Sequence, residues 1–389
     1  MEKRIALDDV CEKKIATLSS QYDGLIDYVD ISSVDNVEKR IVGMQCIPAK
    51  EAPSRAKQLL EVGDILIATV RPNLNAVAMV EEATNNLIVG STGYCVLRCN
   101  DQVDRRYVYY FCQSPYFVDD MTAQATGASY PAVSTSIVKS ACIPVRSIDE
   151  QRMIADKFDQ VSDLIALRKE QLAKLDELVK ARFVEMFGSL NNNEKGLDIV
   201  PIEELCLLIK DGTHQTPTYT EDTQNGFKFL SSKDVMTQKI CWDDVKYIPA
   251  ELHEKLYATI QPKRNDILMS KNGVNYGIAA VNDTDEVFDI YVSLALLRPR
   301  TDRVNPVYLR CAINNPDTMH QFDSSIKGIG VPNLHLGEIK KTKILLPLMD
   351  KQNEFVSFVE QTNKTKLTIQ ASLDKLEVMK KALMQEYFG

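Results

Sequence analysis

Amides, hydroxyls and basic groups gather at a few loop-like tips of this chain. Side chains of those types can hydrogen-bond flat polar edges and anions. The stretch Lys210–Tyr219 reads KDGTHQTPTY and packs Lys210, Thr213, His214, Gln215 and Thr216 around an Asp-Gly turn. Glutamine matches the donor–acceptor edge of adenine, and lysine suits guanine or a phosphate. An ordinary solvated loop could have the same composition. A second tip, SKNGVNYG (270–277), follows an apolar run and carries Lys271, Asn272, Asn275 and Tyr276 beside a glycine-permitted turn. A comparable slot earlier in the chain, ATVRPNLN (68–75), offers Arg71, Asn73 and Asn75. A third pair, TGASYPAVS (126–134) with Ser129 and Tyr130, and KGIGVPNLH (327–335), gives each half a glycine-rich approach to the next element.

Residues that could run a reaction are scarce. Asn305-Pro306-Val307-Tyr308 resembles the N-P-P-Y motif with which amino-methyltransferases hold a flipped adenine. Its third residue departs from that motif, and no Gly-rich loop after a strand offers a site for S-adenosylmethionine. A helix start is the simpler reading. His214, His253, His320 and His335 are scattered without metal spacing, and most of them are expected on the surface or in loops. Nine cysteines include no CxxC pair, so buried thiols rather than a zinc site are expected. With no phosphate-binding loop, nucleophile elbow or nuclease core, the chain looks like a recognition or scaffold component.

These tips need elements to hold them. Short apolar runs such as DILIATV (64–70), GYCVLRC (93–99), FKFL (227–230) and DILMS (266–270) are expected strands. RRYVYYFCQSP (105–115) and PVYLRCAINNP (306–316) are expected short helices closed by proline, and GSLNNNEKG (188–196) a linker.

The largest pattern is a duplication. Residues 148–188 end in ARFVEMFG and the chain ends in MQEYFG; aligning the two Phe-Gly endings gives a shift of 389 − 188 = 201 residues. Near that shift Gly63-Asp64-Ile65-Leu66 is answered by Asn265-Asp266-Ile267-Leu268, Arg98 by Arg298, Tyr107 by Tyr308 and Gln151 by Gln352. Gly127 and Pro131 are likewise answered by Gly328 and Pro332. The two long segments carry apolar residues at steps of three and four, the spacing of a helical seam. Phe158, Leu172, Leu175 and Val179 belong to the first, Leu373, Leu376 and Leu383 to the second. About 40 residues of helix make a rod of about 60 Å.

Composition is that of a soluble globular protein, with 44% hydrophobic and 26% charged residues. No signal-peptide core or membrane span is evident, so a cytoplasmic protein is expected. A net charge of −8 argues against a simple basic nucleic-acid binder, unless positive charge is local or supplied by partners.

The order domain, rod, domain, rod, with GASYPAVSTSIVKSACIPVRSIDEQ ahead of the first rod, resembles the specificity subunits of type I restriction–modification enzymes. DGTHQTPTY is similar to a loop of many such chains. The resemblance implies an α+β fold: two mixed α/β target-recognition domains and two long helices forming an antiparallel coiled coil, with an internal pseudo-twofold repeat. The boundaries would be 1–147 and 189–347 for the domains, 148–188 and 348–389 for the helices. It further implies a non-catalytic chain that reads a bipartite double-stranded DNA target and docks two methyltransferase subunits and restriction–translocation subunits. S-adenosylmethionine, ATP and Mg would belong to those partners, with no cofactor or metal held here. Two alternatives stay open on the residues alone: a coiled-coil scaffold that binds no DNA, and a single-chain methyltransferase.

Overall fold

The computed structural model describes residues 3–326 and 332–389. Contacts divide the chain into two compact units, Met1–Glu170 with Gln370–Gly389, and Gln171–Ile369. Two long helices, Ile148–Phe187 and Met349–Phe388, each contribute to both. Neither contains glycine or proline, the residues that most oppose helix. Ser147 and Glu150 open the first with a capping box: Ser147 N–H donates to the Glu150 carboxylate at 2.9 Å, and Glu150 N–H donates to Ser147 Oγ at 3.3 Å. Gly188, at φ +76°, closes it in the left-handed conformation that glycine adopts without a Cβ penalty.

Within each unit the start of one long helix lies against the end of the other, so the two run antiparallel there. In the first unit Phe158 stacks on Phe388 with centroids 5.8 Å apart, and Tyr387 meets Phe158 edge-on. In the second, Phe183 and Phe187 each meet Phe355 at 5.5 Å. The seam is buried near the domains, at Ile154, Phe158, Val161, Phe355, Val359 and Leu373, and half-buried at Leu172, Leu175, Val179, Leu376 and Leu383. Lys366 sits on the seam because it reaches Asp176 of the facing helix.

Among the described residues each unit carries one three-stranded and one four-stranded sheet, besides two-stranded pairings. In the first, Ile65–Ala68 lies between Tyr94–Leu97 and Val77–Met79, all antiparallel. A second sheet orders Gln45–Pro48, Leu25–Val29, Leu87–Ser91 and Ala56–Leu60, with one parallel pairing at its centre. In the second unit Ile267–Ser270 lies between Leu294–Pro299 and Ala279–Val281, and Cys206–Asp211 extends that sheet. Its companion sheet again has one parallel pair, Phe227–Leu230 with Phe288–Ile290. The expected strands thus fall where the branched apolar runs lie.

Pro115 and Pro316 do more than close helices. Each is the first residue of a further helix, Pro115–Gln124 and Pro316–Ser325, capped by Ser114 and Asn315. A missing N–H costs nothing at that position.

The duplication is repeated atom for atom at its anchors. Asp64 and Asp266 are both 1% exposed, and each is held by a two-pronged arginine, Arg98 at 2.8 and 2.8 Å and Arg298 at 2.8 and 2.7 Å. Each aspartate also accepts a backbone N–H, from Glu61 and from Lys263, at 2.8 Å. Gln151 accepts from Asp104 N–H and donates to Arg146 O; Gln352 accepts from Asn305 N–H and donates to Pro347 O. Tyr107 and Tyr308 are fully buried and donate to the carbonyls of Pro144 and Leu345. Against each tyrosine lies the final phenylalanine of a long helix: Phe388 at 5.2 Å from Tyr107, Phe187 at 5.1 Å from Tyr308.

Candidate nucleic-acid interface

The hairpin after Ile65–Ala68 and the one after Ile267–Ser270 share one backbone path. Ala68 N–H donates to Ala76 O and Ser270 N–H to Ile278 O, both a shift of 202. At that shift two left-handed positions coincide: Arg71 (φ 51°) with Gly273 (φ 85°), and Asn75 (φ 47°) with Gly277 (φ 84°). A second segment crosses each hairpin the same way. Arg71 N–H donates to Pro131 O and Gly273 N–H to Pro332 O, while Val133 and Leu334 donate to Thr69 O and Lys271 O. Glycine accepts positive φ without strain; arginine and asparagine must be held there by such bonds.

The side chains on this common frame differ. In the first unit Arg71 is exposed and its guanidinium lies over the Tyr130 ring, 5.1 Å from the centroid. Tyr130 is itself 69% exposed, and Ser129 and Asn73 are exposed beside this path. Asn75 instead works inside the protein, donating to Cys112 O at 2.8 Å and accepting from Lys39 Nζ at 2.8 Å. Lys39 also reaches the Asn75 carbonyl, and burial, with Lys380 nearby, pushes its pKa down to about 8.

In the second unit Lys271 is buried, 4% exposed, and pairs with Asp211 at the end of the strand Cys206–Asp211. That ion pair joins the hairpin 270–277 to the loop 210–219. Asp211 also lies 3.6 Å from His214, whose side chain is largely exposed. Gly212 passes so close to the 290–291 backbone that a Cβ would meet the Ile290 and Tyr291 carbonyl oxygens, at 2.3 and 2.4 Å. Thr213 then donates its N–H to Ile290 O and its Oγ1 accepts from Gln215 N–H, which turns Gln215 and Thr216 outward, both exposed. Lys210 Nζ donates to Thr259 O, and Tyr276 donates to Asp323 at 2.5 Å, which pushes its phenol up to about 12. Asn272 is half-buried and bridges to Asn333; Asn275 is exposed.

The structure therefore brings together Arg71, Asn73, Ser129 and Tyr130 in one unit, and Thr213, His214, Gln215, Thr216, Lys271, Asn272 and Asn275 in the other. Arg71 and Lys271 do not share a slot, since Lys271 corresponds to Thr69 and Arg71 to Gly273. The matched, outward pair is Asn73 with Asn275. Sequence reasoning missed Asp211 as the joint, Lys39 as the support of Asn75, and Lys246, which lies over the exposed Tyr219 ring at 4.4 Å. Part of the segment 327–335, Gly328 included, lies outside the described residues.

Among the described residues no group of His, Cys, Asp and Glu could hold a metal ion. His214, His320 and His335 are exposed, whereas His253 is buried, against Asp289 at 2.6 Å and stacked on Phe227 at 3.6 Å. Asn305 caps the helix Pro306–Ile313 by accepting from Val307 N–H, and its amide faces Asn353. The Asn-Pro-Val-Tyr stretch is a helix start: Asn305, Pro306 and Val307 line an open cleft with Asn353, Val356 and Glu360, but Tyr308 is fully buried and does not offer its ring to that cleft. Phe158 is fully buried in the first unit's core, so it holds the helix to its domain.

Residues 3–177 and 194–378 both match the family described as the type I restriction modification DNA specificity domain. The chain belongs to this family. Relatives of this type I specificity chain include the MjaVIII specificity subunit of Methanocaldococcus jannaschii, 21% identical over 313 residues and spanning 76% of this chain and 72% of the relative. The MjaIX specificity subunit of the same organism is 22% identical over 360 residues, spanning 88% and 80%. A solved structure described as the basis of complex assembly and conformational transition of the type I R-M system aligns with TM-score 0.61 at 22% identity, covering 99% and 97%. The type I S subunit from M. genitalium aligns with TM-score 0.58 at 14% identity, covering 100% and 96%. These likenesses agree with the fold of two specificity domains and two long helices.

Proposed function

We propose that this chain is the non-catalytic, sequence-reading subunit of a type I restriction–modification complex. One observation carries the reading: two specificity domains present the same hairpin frame with different exposed side chains. Such a frame suits two different half-targets of one double-stranded DNA site. Arg71, Asn73, Ser129 and Tyr130 would serve one half, and Gln215, Thr216, His214, Thr213 and Asn275 the other, with Lys210, Asn272 and Tyr276 shaping that surface. Lys271 and Asn75 act through their internal bonds and keep the loops in place.

In this reading residues 1–147 and 189–347 recognise DNA and residues 148–188 and 348–389 are spacers. Two methyltransferase subunits dock on the spacers and domains, and restriction–translocation subunits join them. Partners bring S-adenosylmethionine, ATP and Mg, and their positive charge offsets the net −8 of this chain. No described helix is long and apolar enough to cross a membrane, which suits a cytoplasmic complex.

The test is a domain exchange. Residues 199–347 are replaced by the corresponding part of another specificity subunit, and methylated adenines are mapped in cells carrying each chimera with its methyltransferase. One half of the methylated motif should change and the other should persist. A motif changed in both halves or in neither would refute independent reading. Methyl transfer by the isolated chain would refute the non-catalytic role.

A further inference from the structure

The described cysteines are all reduced, and one pair stands apart from the rest. Cys11 and Cys99 face each other across an antiparallel bridge, with Sγ atoms 3.9 Å apart. Glu12 N–H donates to Arg98 O at 2.8 Å and Asn100 N–H to Val10 O at 3.0 Å, which makes Cys11–Cys99 a pair without its own ladder bonds. Such pairs bring Cα atoms to about 4.5 Å, inside the range that a disulfide spans but near its short end. Bonds made near that limit are readily reduced, as regulatory disulfides are.

We propose that Cys11 and Cys99 form a reversible dithiol–disulfide site, closed by a peroxide-class oxidant and reopened by a thiol reductant. One thiolate attacks the peroxide, giving a sulfenic acid and releasing water or an alcohol. The second thiol then displaces hydroxide from that sulfur, which leaves as water, so two thiols lose two hydrogens and two electrons and the peroxide O–O bond takes them up.

The surroundings assign the order. The Cys99 thiol and then Lys139 hold Cys11 below the ordinary thiol range, while the same contact and burial push Cys99 well above it. Lys139 is anchored there by donating to Glu12 O at 2.6 Å. Cys11 is therefore the attacking thiolate and Cys99 the resolving thiol. Cys95 and Cys206 are each pushed up to about 12 by burial, which leaves them inert by comparison. The second unit has no counterpart: Cys206 faces Pro299 in the corresponding strand pair. The site thus acts on one recognition unit only, clasping the segment after Leu7–Val10 to the sheet edge that follows Tyr94–Leu97.

The experiment treats the full-length chain with hydrogen peroxide, alkylates free thiols, and maps tryptic peptides without reduction. The expected product links residues 5–13 to residues 99–105, disappears with dithiothreitol, and is absent from Cys11→Ser and Cys99→Ser. Should either variant fold poorly, the linked peptide and its reversal in wild type still decide. Oxidation at Cys46 and Cys241 with Cys11 and Cys99 left as thiols would overturn the proposal, as would Cys11 passing to sulfinic acid without linkage.

Discussion

Replacing Phe388 by alanine should unfasten one unit and spare the other. The ring is fully buried among Tyr107 at 5.2 Å, Phe111 at 5.8 Å and Phe158 at 5.8 Å. Little can collapse into the space left behind. Tyr107 is pinned through its hydroxyl to Pro144 O, and Phe158 is fixed on a long helix. A buried Phe→Ala change with a residual cavity costs about 3–5 kcal/mol. For a unit of this size that is a fall of roughly 6–20 °C in its unfolding midpoint. Hydrogen exchange read by mass spectrometry on the full chain separates the units: protection should drop in peptides of residues 3–170 and 370–387 and persist in 200–350. Phe187→Ala, at the matched place beside Tyr308, should do the reverse. Loss concentrated in 200–350 for the Phe388 variant, or a cost under about 1 kcal/mol, would refute the docking argument.

Arg98→Ala and Arg298→Ala should each cost about 3–5 kcal/mol, because Asp64 or Asp266 is left buried without its partner; urea midpoints of the two variants check this. Lys39 has a folded pKa of about 8 against an ordinary 10.5, so between those values the unfolded chain binds more protons. Its contribution must therefore become more favourable as pH rises from about 8 to 10.5, and the stability of wild type relative to Lys39→Met should climb over that window. A flat difference would refute the burial of Lys39. Asn73→Ala and Asn275→Ala should each relax one half of the methylated motif by about 1–3 kcal/mol of discrimination, measured with half-site variants of the target. Gly212→Ala should weaken reading of the second half-target while the first persists, since its Cβ would meet two carbonyl oxygens.

The long helices were legible because a seam repeats every three or four residues and nothing helix-breaking interrupts it. Even there one feature was hidden: Met384 and Phe388 lie one place off the seam of Leu383 and Tyr387 and are buried. Both join the domain core, Phe388 against Tyr107 and Phe111 as well as against Phe158 of the other helix, while Tyr387 meets that helix at Phe158 and Lys157. The paired tips were legible as composition but less so as position. Arg71 and Lys271 look alike in a list of charges, yet one is exposed and the other is sealed against Asp211, sixty positions earlier in the sequence. Local pattern cannot report a partner that distant. The same holds for Lys39, which supports Asn75 across 36 positions.

The division of the chain also sets the order in which it can fold as it is made. The second unit is one continuous stretch, Gln171–Ile369, whereas the first closes only with Gln370–Gly389. At about 5–20 residues per second, the ribosome takes roughly 10–40 seconds to make the stretch between the two parts of the first unit. During that interval the earlier-born domain has its sheets but lacks Met384 and Phe388, and its pocket beside Tyr107 stands open. The later-born domain can finish first. A chain truncated before residue 384 and released from the ribosome should therefore be protease-resistant in its second half and nicked in its first, and chaperones that grip exposed aromatic surface have their longest opportunity at the N-terminal domain.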